Sequence, residues 1–393
     1  MRQKQSFHAS DHLLLVGVLM GFLCVGHGSI KIQAVPRNVS AMYVLGDSSV
    51  DCGDNTLFYS RLHRNLSLLP CIGNGSLLPH LLVWNLRIDS DASFNNFVLE
   101  SAGKMGLPNA LPFYNQNGSV ADLVRGVNFG SAQATIMNPG SQGYQSLNQQ
   151  LRQVSETVEL LQLQLSPREV LHFVRSSVFY LSFGKDDYIN FFLSNSSNVT
   201  PKQSSQEIAH ILVTEMVNAV RSLHDLKIRK FICQGILPLG CTPRAVWKKF
   251  DLAEGEDDGA GCWEKINEMV LEYNVMLEEE IMELNAEMRD AHIVFCDVYQ
   301  GIREILAKPE SYGFEEVKSA CCGLGLYGAT VGCLSEGMAC DKRESHVWWD
   351  QFNPTKAVNA LLADSGWSGL PFPGLCRPFP IQELLYPSPS NLA

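Results

Sequence analysis

The chain is poor in charge, and poorest in positive charge. Only 18% of its 393 residues are Asp, Glu, Lys or Arg, and 30 basic side chains stand against 41 acidic ones, for a net charge of -11. No cluster of Lys and Arg interrupts that acidic background, which excludes nucleic acid as a partner, because phosphate backbones are gripped by concentrated positive charge. After residue 29 no apolar stretch reaches the roughly 20 residues that a membrane-spanning helix needs. No internal repeat and no linker-like break divides the sequence. No two cysteines have C-x-x-C spacing, so zinc is not expected, and the sequence implies no metal or organic cofactor.

With 46% hydrophobic residues, the chain has enough apolar material for a large core. Its beginning reads as a leader: Arg2 and Lys4 precede an apolar run from Leu13 to Val25 that ends in the small residues Gly26, Gly28 and Ser29. The expected organisation is therefore a signal peptide over 1–28 and a single domain over 29–393, with no transmembrane segment after signal removal. A Pro-rich tail from Pro371 to Pro389 is expected to wrap the surface or fray. Six acceptor sequons, at Asn38, Asn65, Asn74, Asn117, Asn195 and Asn198, fit a secreted, extracellular glycoprotein. Asn353 is not one of them, because Pro354 follows it. Removing Cys24 with the leader leaves eleven of the 12 cysteines, which in an oxidising compartment predicts several disulfides and one thiol left over.

Short apolar runs alternate with longer segments of helical period, the pattern of parallel strands joined by crossover helices, so the fold class is α/β. Strands are predicted over Ala41 to Leu45, Ser177 to Phe183, Lys230 to Cys233 and His292 to Cys296. Ser166, Pro167 and Glu169 supply an N-cap, a proline at the first helical position and a capping-box partner for a helix running to about Arg175. Further helices are predicted over Gln206 to Leu223 and Trp263 to Met288. In such a sheet, ligands bind beyond the carboxyl ends of the strands, which directs attention to the loop Gly46-Asp47-Ser48-Ser49-Val50-Asp51-Cys52-Gly53-Asp54-Asn55.

That loop resembles the nucleophile block of the plant GDSL esterase/lipase family, part of the SGNH hydrolase superfamily, and later segments match the family in order. They are Gly126-Val127-Asn128-Phe129, Gly184 to Asn190, Pro238-Leu239-Gly240-Cys241-Thr242-Pro243, Ala320-Cys321-Cys322-Gly323 and Trp349-Asp350-x-x-Asn353-Pro354-Thr355. The resemblance runs from about Ala41 to Cys376 and is loosest from Arg61 to Val98. It implies a three-layer SGNH or flavodoxin-like sandwich, with a mostly parallel central sheet and helices on both faces. No G-x-S-x-G elbow is present, which argues against the α/β-hydrolase fold. In the family the first-block serine attacks an ester carbonyl, a histidine in the closing block takes its proton, and an aspartate three residues earlier orients that histidine. Backbone and side-chain donors from the first three blocks hold the oxyanion. Cys241 with Cys262, and Cys321 or Cys322 with Cys333 or Cys340, are plausible bridges whose connectivity the sequence leaves open.

Carried over position by position, Ser48 and Asp350 are present, but Asn353 stands where the family has its histidine. A carboxamide is not basic enough to take a hydroxyl proton near neutral pH, so Asn353 could hydrogen-bond Ser48 without activating it. At the oxyanion-hole positions, Asp186 replaces the asparagine and cannot donate when ionised, and Ala132-Gln133 replaces a pair of small glycines. Losing a catalytic histidine costs on the order of 10⁴ to 10⁶ in turnover, and losing one oxyanion donor on the order of 10² to 10³. A substitute base would have to be His346 or Asp186 itself. The resemblance thus implies a carboxylic ester hydrolase acting on small esters, lipids or cell-wall acyl groups, with severely impaired catalysis. The alternative is a pseudoenzyme that binds an ester, glycan or protein on the same scaffold. Oligomeric state is open.

Overall fold

The computed structural model describes residues 39–51, 97–137, 145–193, 204–253, 261–333 and 336–385. The leader, Cys52, Cys71 and the sequons at Asn38, Asn65, Asn74, Asn195 and Asn198 lie outside the described residues. The strands are β1 (Met42–Gly46), β2 (Leu111–Pro112), β3 (Val127–Asn128), β4 (Val178–Ser182), β5 (Lys230–Gln234), β6 (His292–Cys296), β7 (Glu316–Ala320), β8 (His346–Trp348) and β9 (Cys376–Arg377). Seven form one sheet in the order β2-β3-β1-β4-β5-β6-β9, parallel except for β9, while β7 and β8 make a separate parallel pair.

Every residue of β1 and β4 is buried, as expected of parallel strands covered on both sides, which read as continuous apolar runs rather than alternating ones. The two strands pair residue for residue from Met42 with Val178 to Gly46 with Ser182, so their carboxyl ends are level. From β1 the order proceeds one way to β3 and β2 and the other way to β4, β5 and β6. With right-handed crossovers this reversal puts helices on both faces. It also opens a crevice at the carboxyl ends of β1 and β4, the place where open α/β sheets bind ligands.

The predicted helices are present with nearly the expected bounds: Pro167–Ser176, with its Ser166–Glu169 capping box intact, Ser205–Asp225 and Glu264–Glu287. The last two pack along each other over the sheet. Disulfides join Cys241 to Cys262, Cys321 to Cys340 and Cys322 to Cys333, which resolves the alternatives left open by the sequence. Cys233 is a buried free thiol. The only described sequon, Asn117, is exposed.

One expectation is corrected. Up to Leu385, the Pro-rich tail is built into the fold: β9 adds an antiparallel strand to β6, Ile381 and Leu384 are buried, and a fourth disulfide links Cys296 to Cys376. Closing an 80-residue separation of that kind stabilises by about 4 kcal/mol on the chain-entropy account.

Candidate functional site

Gly46 closes β1, and no other residue would fit there. A Cβ would stand 2.4 Å from a Val50 methyl and 2.5 Å from the Ser182 carbonyl oxygen. Both of its polar backbone groups are satisfied by Gln150, from the helix Leu147–Gln164: the Gly46 N–H donates to Oε1 and Nε2 donates to the Gly46 carbonyl, each at 2.8 Å. Asp47 then accepts from the Ser49 N–H at 2.9 Å and the Ser49 hydroxyl at 2.7 Å, which fixes the turn. At the end of β3, the amide of Asn128 donates to the Val50 carbonyl at 2.8 Å and accepts from the Gly130 N–H at 2.7 Å, joining the first and second blocks.

Ser48 emerges from this turn almost fully buried, at 4% exposure. Its hydroxyl donates to Asp186 Oδ1 at 2.5 Å, and its N–H donates to Asp186 Oδ2 at 3.0 Å. A third donor, the Gln133 N–H, reaches the same Oδ2 at 2.7 Å. Two backbone donors from separate loops therefore converge on one carboxylate oxygen. Gln133 achieves this with φ 61°, in the left-handed region that favours glycine, at a cost on the order of 1 kcal/mol. The backbone keeps the glycine-like shape and the donor survives, but Asp186 has taken it.

On the other side of the crevice, Asp350 Oδ1 accepts the N–H groups of Phe352 at 2.9 Å and Asn353 at 2.8 Å. The Asn353 side-chain amide donates to both Asp350 oxygens, at 3.1 and 3.0 Å, and its Oδ1 accepts from Lys185 Nζ at 2.8 Å. Asp350 and Asn353 are thus bonded to each other. Among the described residues, however, the Ser48 hydroxyl bonds Asp186 and not Asn353. The His346 Nδ1 lies 2.9 Å from the Lys342 carbonyl oxygen and 3.6 Å from Cys340 Sγ, while the Ser48 hydroxyl bonds Asp186.

Lys185 is the residue that sequence reasoning missed. It is 2% exposed and shares its surroundings with the buried acids Asp47, Asp186, Asp187 and Asp350. The only signal was a lysine at the variable position of the third block, which a pattern match passes over. Asp187 was missed too: its carboxylate accepts from the Ile136 N–H at 3.0 Å and the Met137 N–H at 3.1 Å, so Asp186 and Asp187 clamp the same loop.

Burial dominates the electrostatics. It pushes Asp187 up to about 7, the neighbouring acids adding to the effect and the two N–H bonds opposing it. Burial followed by the Asp186 charge raises Asp47 to about 6, against the pull of Lys185. Asp350 is also raised by burial, which outweighs its hydrogen bonds from Phe352 and Asn353 and the Lys185 charge. The space beside Ser49, Lys185 and Asn353, walled by Phe97, Leu237 and Leu362, measures about 30 Å³.

A family model described as GDSL-like lipase/acylhydrolase matches residues 42–365. A GDSL esterase/lipase of Arabidopsis thaliana is 28% identical over 377 residues, covering 94% of this chain and 95% of its own length. GDSL esterase/lipase 7 of the same plant is 27% identical over 362 residues, covering 91% and 94%. The matched span contains every residue of the crevice described above.

Proposed function

The chain belongs to the GDSL-like lipase/acylhydrolase family, and on that premise we propose that its Ser48 centre has ceased to hydrolyse esters, leaving a secreted glycoprotein that serves by recognition rather than turnover. The family reaction needs a base to take the serine proton and free donors to hold the oxyanion. Asn353 cannot be that base, because a carboxamide is not basic enough; its oxygen accepts from Lys185 and its nitrogen donates to Asp350. Asp186 is close enough to accept the proton, at 2.5 Å. The same carboxylate nevertheless occupies the Ser48 and Gln133 N–H groups, so a carbonyl oxygen arriving at Ser48 would find no donor.

The observation that carries this reading is the Asp186 carboxylate lying across the nucleophile and both backbone donors at once. A leader over 1–28, one domain over 29–393 and occupied sequons complete the proposal, and the exposed Asn117 fits it. The test is fluorophosphonate labelling of the purified protein together with turnover of a short-chain nitrophenyl ester, beside Ser48→Ala and an active plant relative. Wild type is expected to match Ser48→Ala in both assays. Turnover that depends on Ser48 would overturn the proposal.

A further inference from the structure

The three donors around Asp186 form a pocket that exists apart from the side chain filling it. The Ser48 N–H, the Ser48 hydroxyl and the Gln133 N–H point at one small volume from two loops, and both loops are held by other bonds. The Ser48 loop is fixed by Gln150 on Gly46 and by Asn128 on Val50. The Gln133 loop is fixed by Asp187, through Ile136 and Met137. Asp186 is 3% exposed and spends both carboxylate oxygens on these donors. From the same turn, its neighbour Lys185 binds the oxygen of Asn353, so consecutive residues occupy the two halves of the crevice.

We propose that Asp186 acts as an internal ligand, a tethered carboxylate seated in a preformed three-donor pocket that is selective for small carboxylates. Removing the side chain leaves two N–H groups and a hydroxyl buried without an acceptor, a costly state that a free carboxylate of matching size would relieve. The pocket would accept formate or acetate by the contacts Asp186 now makes, with Lys185 supplying nearby positive charge. This deepens the reading of Ser48 as a silent centre, on which it rests for the idea that the pocket no longer serves an ester. Its test, however, reads stability and not turnover.

The experiment compares melting of the purified wild type, Asp186→Ala and Asp186→Asn in sodium formate or acetate with sodium chloride at equal ionic strength and neutral pH. Asp186→Ala is expected to melt below wild type and to regain several degrees in formate, saturably in the millimolar range. Wild type stays unmoved, because its pocket is full. Asp186→Asn keeps one acceptor oxygen for the three donors and leaves less room than Asp186→Ala, so it is expected to regain less in formate than Asp186→Ala. If Asp186→Ala is not recovered folded, its refolding yield in formate against chloride supplies the same comparison. A formate effect no larger than in wild type, or an equal effect of chloride, overturns the proposal. Ester turnover by wild type would sink the silent-centre reading while leaving the formate comparison intact, so the two failures are distinguishable.

Discussion

On the function proposed above, the two sides of the crevice depart from the family chemistry in opposite ways. On the nucleophile side Ser48, its N–H and the Gln133 N–H are all in place, and the change is that Asp186, an acceptor and occupant, stands where the family has a side-chain donor. On the closing side nothing is obstructed: the Asp350 turn still caps Phe352 and Asn353, and the change is an absence of basicity at Asn353. Lys185 connects the two by leaving the Asp186 turn to bind Asn353. The lesson is that loop shape here is held by hydrogen bonds that do not depend on the reaction, so the chemistry can go while the shape stays.

The sharpest way to break the comparison is to remove the connector. Lys185 is a buried cation placed among buried acids, and Lys185→Met is expected to cost about 3 kcal/mol or more near pH 8, measured by urea denaturation, because it leaves those charges uncompensated. The cost should shrink at pH 5, where Asp47 and Asp187 take up protons. Next comes the closing side alone. Asp350→Ala strips the acceptor from two backbone N–H groups and from the Asn353 amide, for an expected loss of about 2 to 3 kcal/mol in the same assay.

Titration tests the clamp on the nucleophile side. Asp187 sits at about 7 in the folded chain, against an ordinary value near 3.9 when unfolded, so the fold favours its protonated form. The resulting stability is fully present below about pH 4 and is lost as pH rises through 7. Asp47, at about 6, acts in the same direction. Melting temperature is therefore expected to fall between pH 6 and pH 8, by an amount corresponding to roughly 2 kcal/mol, and Asp187→Asn should flatten that slope. The smallest effect is expected at Gln133. Gln133→Gly relieves a φ of 61° but adds freedom to the unfolded chain, so stability should change by no more than about 1 kcal/mol. It should also bring no ester turnover, since the N–H it would restore is already present.

Much of the scaffold was legible in the sequence. Four buried strands, the Ser166 cap and the order of the blocks all follow from local pattern, and the structure moves their ends by a residue or two. Cys296 and Cys376 escaped because their contact depends on a short strand joining the sheet from the far end of the chain, which no local period announces. Ser48, Asp186, Asp350 and Asn353 were all named from the sequence, yet their wiring was not. Whether Asn353 would turn to Ser48 or to Lys185 depends on where a buried ammonium finds its acceptor, and that is decided by three-dimensional placement.

The glutamine beneath Gly46 has a wider consequence. Because Gln150 answers both polar groups of that residue from a helix remote in sequence, the turn carrying Ser48 is propped from underneath by a part that never meets a substrate. Any agent that judges a protein by its folded outline, whether chaperone, protease or antibody, meets the same contour whatever stands on top of that prop. A platform built this way can be refitted for new duties one side chain at a time.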